Sequence, residues 1–198
     1  AQKETPLNIL KLDSYKVIID HKAKDVTCDL TYRRGDHVQF IGQNGIGKTT
    51  LLESLSSGKA EGQTVAEDVR IGYYRQDFSN LDFDQTVIEC LQEASQDKSY
   101  QEIRAIAAGF LLMGDTVSSK IGVLSEGQKG LVAFARLVLL QPGLLILDEP
   151  TNHINFRHLP VIAQALDEYE GTMLLVSHVS EFVQQIRIDE VLDLSRKK

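Results

Sequence analysis

The run Gly42-Gln43-Asn44-Gly45-Ile46-Gly47-Lys48-Thr49 has the residue types and spacing to grip a polyphosphate. It satisfies the pattern G-x-x-x-x-G-K-S/T, and a short apolar strand precedes it. Glycines let the backbone curl so that successive N–H groups point inward at phosphate oxygens. A helix that starts on the loop adds its N-terminal partial positive charge. Lys48 would reach the β- and γ-phosphates of ATP, the Thr49 hydroxyl would ligate Mg²⁺, and Thr50 joins the phosphate-binding candidates. At average residue frequencies a chance match in a chain this long is on the order of one per cent, so an accidental turn is the weaker reading.

A second place for chemistry is Leu144-Leu145-Ile146-Leu147-Asp148-Glu149, an apolar strand that ends in two carboxylates. Open α/β sheets put ligand chemistry at the carboxyl ends of their strands. Asp148 there would hold Mg²⁺, directly or through water. Glu149 would orient and deprotonate an attacking water. Alone, the pair reads equally well as a strand running into a polar turn at Pro150. Beside the glycine-rich loop, the catalytic reading gains weight.

These residues need a frame. Leu7–Asp20 reads as one or two strands and Thr27–Tyr32 as another, followed by a turn at Arg33-Arg34-Gly35-Asp36 and a strand His37–Ile41. Thr49–Ser57 carries Leu51, Leu52 and Leu55 at helical spacing. Between Ser79 and Leu124 the strand signals vanish. Val87, Ile88 and Leu91 mark one helical face there, and Ile103, Ile106, Ala107, Phe110 and Leu111 another, with a turn at Gln96–Ser99. A helix Gln128–Leu140 follows. Then come strand Leu144–Leu147, helix Leu159–Tyr169, strand Thr172–Val176, helix Ser180–Arg187 and a strand near Val191–Leu194. Strands that alternate with helices imply a mostly parallel, covered sheet. The expectation is an α/β core with an N-terminal antiparallel β-subdomain and a helical subdomain inserted at about residues 79–125.

With 198 residues the chain suits one domain, 1–198, large enough to bury a core without staples. Its formal net charge of −7 argues against a broad nucleic-acid-binding face, which needs clustered Lys and Arg. The small basic groups Lys22 with Lys24, Arg33 with Arg34, and Arg196-Lys197-Lys198 read as solvated surface. Two cysteines far apart, Cys28 and Cys90, suit a reduced, cytoplasmic protein. No apolar run is long enough to span a bilayer, and no signal peptide precedes the first motif. A start at Ala1 rather than Met suggests a chain processed or cut from something longer.

In sum the motifs resemble the ABC ATPase superfamily, from about Asp36 to Leu194. Tyr73-Tyr74-Arg75-Gln76 resembles its Q-loop, which implies that Gln76 approaches Mg²⁺ and the attacking water. Leu124-Ser125-Glu126-Gly127-Gln128 resembles its signature LSGGQ. Ser125, Gly127 and Gln128 would then act on ATP bound by a partner domain. Ser177-His178 resembles the H-loop, whose histidine contacts the γ-phosphate. Glu149-Pro150-Thr151-Asn152-His153 resembles the ABC-F branch more than the EPTSALD of transporter subunits, as do Gly109–Leu112 and Tyr169–Thr172. The resemblance implies a P-loop NTPase, an ABC-type nucleotide-binding domain that binds and hydrolyses Mg-ATP. Its partner would be a second ABC domain, in the same parent chain or as a homodimer. ABC-F proteins are soluble, many act on the ribosome, and the long interdomain arm typical of them has no counterpart here. Two other readings stay open: the ATPase subunit of a membrane transporter, and an ATP-gated interaction module with little hydrolysis.

The chain departs from the family pattern in three places. Glu126 stands for the first signature glycine. A carboxylate about 5 Å from a phosphate charge costs roughly 3 kcal/mol at an effective dielectric of about 20, unless it swings outward. Asn155 stands where the D-loop usually has Asp, and Val179 follows His178 where Asp is common. The family also places an aromatic ring on adenine, upstream of the phosphate loop. Tyr15 is the candidate with the better ring, and His21 lies in the same neighbourhood.

Overall fold

The computed structural model describes residues 7–75 and 77–195. Two sheets organise them. The first is antiparallel, in the order β2-β1-β4, from β1 (Asn8–Ile19), β2 (Lys22–Arg33) and β4 (Gln63–Val65). The second has five parallel strands in the order β5-β6-β7-β3-β8. These are β3 (His37–Ile41), β5 (Ile71–Tyr74), β6 (Leu144–Asp148), β7 (Thr172–Val176) and β8 (Glu190–Asp193). Six α-helices accompany them: α1 (Lys48–Ser57), α2 (Val87–Ala94), α3 (Tyr100–Gly109), α4 (Glu126–Leu140), α5 (Leu159–Asp167) and α6 (Ser180–Val183). Helices α2 and α3, with 3₁₀ turns at Gly114–Ser118 and Ile121–Val123, fill the stretch between β5 and α4.

The parallel sheet is buried on both faces, which is why β6 and β7 read as unbroken apolar runs rather than as alternation. Leu144 and Ile146 of β6 face a core shared with β1, β2 and α1. Leu145 and Leu147 face a second core built with α2 to α5. Strand β5 was not expected from the sequence. It is four residues long and carries Gly72, a weak strand signal. The glycine is there for space, because a Cβ at Gly72 would sit 2.8 Å from Pro142 Cγ.

Two expected helices end early. Helix α3 stops at Gly109, and Leu111, in a left-handed turn at φ 63°, is 41% exposed rather than part of a buried face. The expected helix to Arg187 closes at Val183, where the chain turns so that the Arg187 N–H donates to Asp167 Oδ1 at 2.7 Å.

Asp189 pins β8 to β3. It accepts the His37 N–H at 2.8 Å and pairs with the Arg187 guanidinium, and its own N–H donates to His37 O. Partial burial pushes its carboxyl up, but the His37 N–H and the Arg187 charge outweigh this and hold it below the ordinary carboxylate value. A lowered folded-state pKa gives stability that is present above the unfolded pKa of about 3.9 and is lost as pH falls through the folded value. Asp189→Asn is therefore expected to cost about 1 kcal/mol at pH 7 and progressively less below about pH 4. Urea titrations at both pH values check this; an undiminished difference in acid contradicts it.

Candidate functional site

Strand β7 lies between β3 and β6, with His37 level with Met173 and Asp148 level with Val176. The carboxyl ends of the three strands are thus neighbours, and the segments that follow them converge: the glycine loop after β3, Asp148-Glu149 at the end of β6, and Ser177-His178 after β7. Such an edge is where open α/β sheets take ligands.

The loop from Gly42 to Gly47 leads directly into α1. Gly45 at φ 82° and Gly47 at φ 114° occupy backbone regions that side chains resist. No side chain caps the start of α1, and no acidic residue sits in its first turn, so its amides and its positive end remain for an anion. Lys48 is buried and bends back over the loop, donating to Gly42 O at 2.5 Å and to Gln43 O at 3.2 Å. Within the loop, the Ile46 side chain packs into the core and its N–H closes a turn onto Gln43 O. The Gln43 N–H donates to Ser195 Oγ at 3.0 Å.

Around the lysine stand the other groups. Thr49 Oγ1 donates to Asp148 Oδ2 at 2.6 Å. Glu149 takes a left-handed conformation, φ 47°, and its N–H donates to Val176 O at 2.8 Å. Its carboxylate oxygens meet His178, Oε1 at 3.1 Å from Nε2 and Oε2 at 3.3 Å from the backbone N–H. Lys48, Thr49, Thr50, Asp148, Glu149 and His178 line one cleft of about 520 Å³, with Asn44, Gly45 and Gly47 along its floor. The hydroxyl and carboxylate of Thr49 and Asp148 make an all-oxygen pair, the donor set that suits Mg²⁺, which keeps most of its water and takes one or two protein ligands. A larger hollow of about 990 Å³ lies at the opposite end of the sheet, beside Arg70, Gly143 and Gly171, away from all of these groups.

Not every expected residue joins the cleft. Gln76 lies outside the described residues, as do Arg196, Lys197 and Lys198. Ser125, Gly127 and Gln128 sit at the start of α4 and line no part of the cleft. Ser125 caps that helix, accepting the Gln128 N–H at 3.2 Å, while Gln128 Oε1 accepts the Ser125 N–H at 3.1 Å. Glu126 points outward, 69% exposed, with Oε2 3.7 Å from His153 Nδ1. Asn155 accepts the Arg157 N–H at 3.0 Å and so caps the 3₁₀ turn Phe156–His158.

Tyr15 does not fit the part of an adenine platform. It is 3% exposed and belongs to the core beneath β1, where burial, with Cys28 and Asp193 nearby, raises its phenol pKa. The cause is a bulge between Leu12 and Ser14, where both Asp13 and Ser14 donate to Gly62 O. Upstream of it Leu10 and Leu12 face inward; downstream the phase flips, and Tyr15 and Val17 do. Lys16 and Ile18 turn outward, and Ile18 lines the cleft. His21 is exposed in the β1–β2 turn. The sequence reading missed Ile18 and Asn152 as cleft residues. The bulge gave no warning of the first, and nothing in residue type marks either.

The sequence profile of the family described as ABC transporter matches residues 26–152. The chain is 34% identical over 184 residues to the probable ATP-binding protein YbiT of Escherichia coli O157:H7, covering 90% of this chain and 35% of that protein. It is 33% identical over 172 residues to ABC transporter F family member 5 of Arabidopsis thaliana, covering 83% of this chain and 25% of that one. The chain thus spans a quarter to a third of the length of these relatives. The structure of a complex of the archaeal ribosomal stalk protein aP1 and the ribosome recycling factor aABCE1 superposes with a TM-score of 0.71 at 21% identity, covering 98% of this chain and 38% of that one, a likeness of fold. Among the described residues no helix is long and apolar enough to cross a membrane. By its motifs, fold and relatives, the chain belongs to the ABC transporter family of ATP-binding domains and within it is ABC-F-like.

Proposed function

We propose that the cleft binds Mg-ATP and hydrolyses it to ADP and phosphate, against the signature motif of a second, similar domain. The observation that carries this is the gathering of Lys48, the Thr49–Asp148 pair and the Glu149–His178 pair around one glycine loop. Lys48 and the loop amides hold the phosphates. Thr49 and Asp148, with Gln76, hold Mg²⁺, which when bound neutralises charge on the β- and γ-phosphates. Glu149 takes a proton from the attacking water, and His178 keeps that carboxylate aimed and contacts the γ-phosphate. Ser125, Gly127 and Gln128 serve the partner's nucleotide, which accounts for their lying outside this chain's own cleft. Catalysis of this kind is positioning and electrostatics, so turnover needs the closed pair of domains.

The wider role we infer is that of one half of a soluble, cytoplasmic, ribosome-associated factor. The support is the F-family relatives and the aABCE1 likeness.

Calorimetry with Mg-ATP tests the site: the chain is expected to bind, and Lys48→Ala to weaken binding about 10- to 100-fold through the loss of charged hydrogen bonds. A folded protein that gives no heat of binding sinks the proposal. Pelleting with ribosomes in ATP, using a Glu149→Gln variant, tests the wider role. Absence from the pellet removes it and leaves the site intact.

A further inference from the structure

We propose that Ser195 is a positioning residue for the phosphate loop: by holding the Gly42–Gln43 peptide, it sets where the Lys48 ammonium stands. The inference rests on the nucleotide reading above and adds to that site a residue from beyond the end of β8.

Two hydrogen bonds on one peptide group carry the argument. The Gln43 N–H donates to Ser195 Oγ at 3.0 Å, and Gly42 O, on the same planar unit, accepts from Lys48 Nζ at 2.5 Å. The peptide is trans, so its N–H and C=O point in opposite directions and turn together. Holding the N–H therefore fixes the direction of the carbonyl. Gly42 has no side chain to restrict the turning of that plane, so the restraint has to come from outside the loop. Its bareness also admits the serine, because a Cβ at Gly42 would lie 3.0 Å from Ser195 Oγ.

Ser195 is itself held in place. Ile41 of β3 pairs with Asp193 of β8, and just beyond, the Leu194 N–H donates to Ile41 O at 2.9 Å. The Ser195 N–H donates to Asp193 Oδ1 at 2.9 Å. On the other side of the loop, Lys48 Nζ also donates to Gln43 O at 3.2 Å, a carbonyl fixed separately by the Ile46 N–H. An ammonium has three N–H donors. With two of them on these carbonyls, the third is left for a phosphate oxygen, and its aim follows from where the carbonyls stand. Without the Ser195 hydroxyl, water takes the exposed Gln43 N–H, so folding is little affected. The plane then turns more freely, and binding has to restore its direction.

The test is calorimetric titration with Mg-ATP of the wild-type chain, Ser195→Ala, Ser195→Thr, Lys48→Ala and the Lys48→Ala/Ser195→Ala double variant. Ser195→Ala is expected to weaken binding about five-fold, the worth of one neutral hydrogen bond, and Ser195→Thr, which keeps the hydroxyl, to stay within about two-fold of the wild type. The melting temperature of Ser195→Ala should stay within about 2 °C of the wild type. In the Lys48→Ala background the same serine substitution should change binding by less than about two-fold, because the ammonium it positions is gone. Wild-type affinity in Ser195→Ala overturns the inference, as does a threonine variant as weak as the alanine one. An equal loss with and without Lys48 also overturns it, since the serine would then act independently of the lysine. A fall in melting temperature of more than about 5 °C does the same, by making the contact one that holds the fold. A folded wild-type chain that gives no heat overturns the nucleotide reading itself, a result seen before any variant is compared.

Discussion

Glu149→Gln is expected to slow ATP turnover about 1,000-fold while Mg-ATP affinity stays within about two-fold, the signature of a lost general base at an intact binding site. The substitution keeps size and shape and removes the basic oxygen. The structure says why the rest of the site should survive. Glu149 is held by its backbone, the N–H donating to Val176 O, in a left-handed turn that either side chain must tolerate equally. The amide oxygen of Gln can still accept the His178 N–H that Glu149 Oε2 accepts now. Lys48 donates to Gly42 O and Thr49 to Asp148 Oδ2, bonds the substitution leaves in place. With cleavage blocked, the ATP-bound state should accumulate, and light scattering should show a nucleotide-dependent dimer that persists in the variant. Phosphate release measured under dimerising conditions is the check on turnover. A variant that hydrolyses at the wild-type rate takes Glu149 out of its assigned role; one that no longer binds ATP shows instead that its charge shapes the cleft.

What could be read from the sequence was whatever rests on short-range chemistry. Strands β3 and β7 could be placed residue for residue, because each is an apolar run bounded by turn-forming residues. The start of α1 was legible in Gly47-Lys48-Thr49, since only a loop entering a helix wants that order. What escaped depended on contacts between distant segments. The phase of β1 is reset by a bulge against Gly62, some fifty residues downstream, so Tyr15 and Ile18 exchanged the faces a plain alternation would give them. Strand β5 hid behind Gly72, whose reason is Pro142. The proximity of Glu126 to His153 joins the head of α4 to the turn after β6, which meet only in the folded chain. In each case the missing information was tertiary, and no local propensity carried it.

Phe134→Ala is expected to cost about 3–5 kcal/mol, the largest loss of stability from a single truncation at the seam between α4 and β5. Phe134 is 1% exposed, and its ring stacks on Tyr74 with centroids 4.6 Å apart at 28°. Tyr74 in turn meets the edge of Phe78 at 6.5 Å and is itself buried. The three rings join the last residue of β5 to α4 and to the start of the helical stretch. A cavity here would be hard to collapse, because Gly130 on the same helix already brings its backbone close to Tyr74: a Cβ there would lie 3.1 Å from the Tyr74 hydroxyl. Beyond stability, α4 carries the Ser125 cap at its head, so loosening the seam should also blur the position of the signature turn relative to the cleft. For a chain of this size the loss corresponds to a fall in Tm of about 10 °C, and to a lower urea midpoint with unchanged slope. Phe134→Leu, which keeps most of the volume, should cost less than about 1.5 kcal/mol. If Phe134→Ala costs under about 1 kcal/mol, the aromatic seam is not what fastens α4 to the sheet. The contacts of Leu131 and Ala135 with the same core would then have to bear that role.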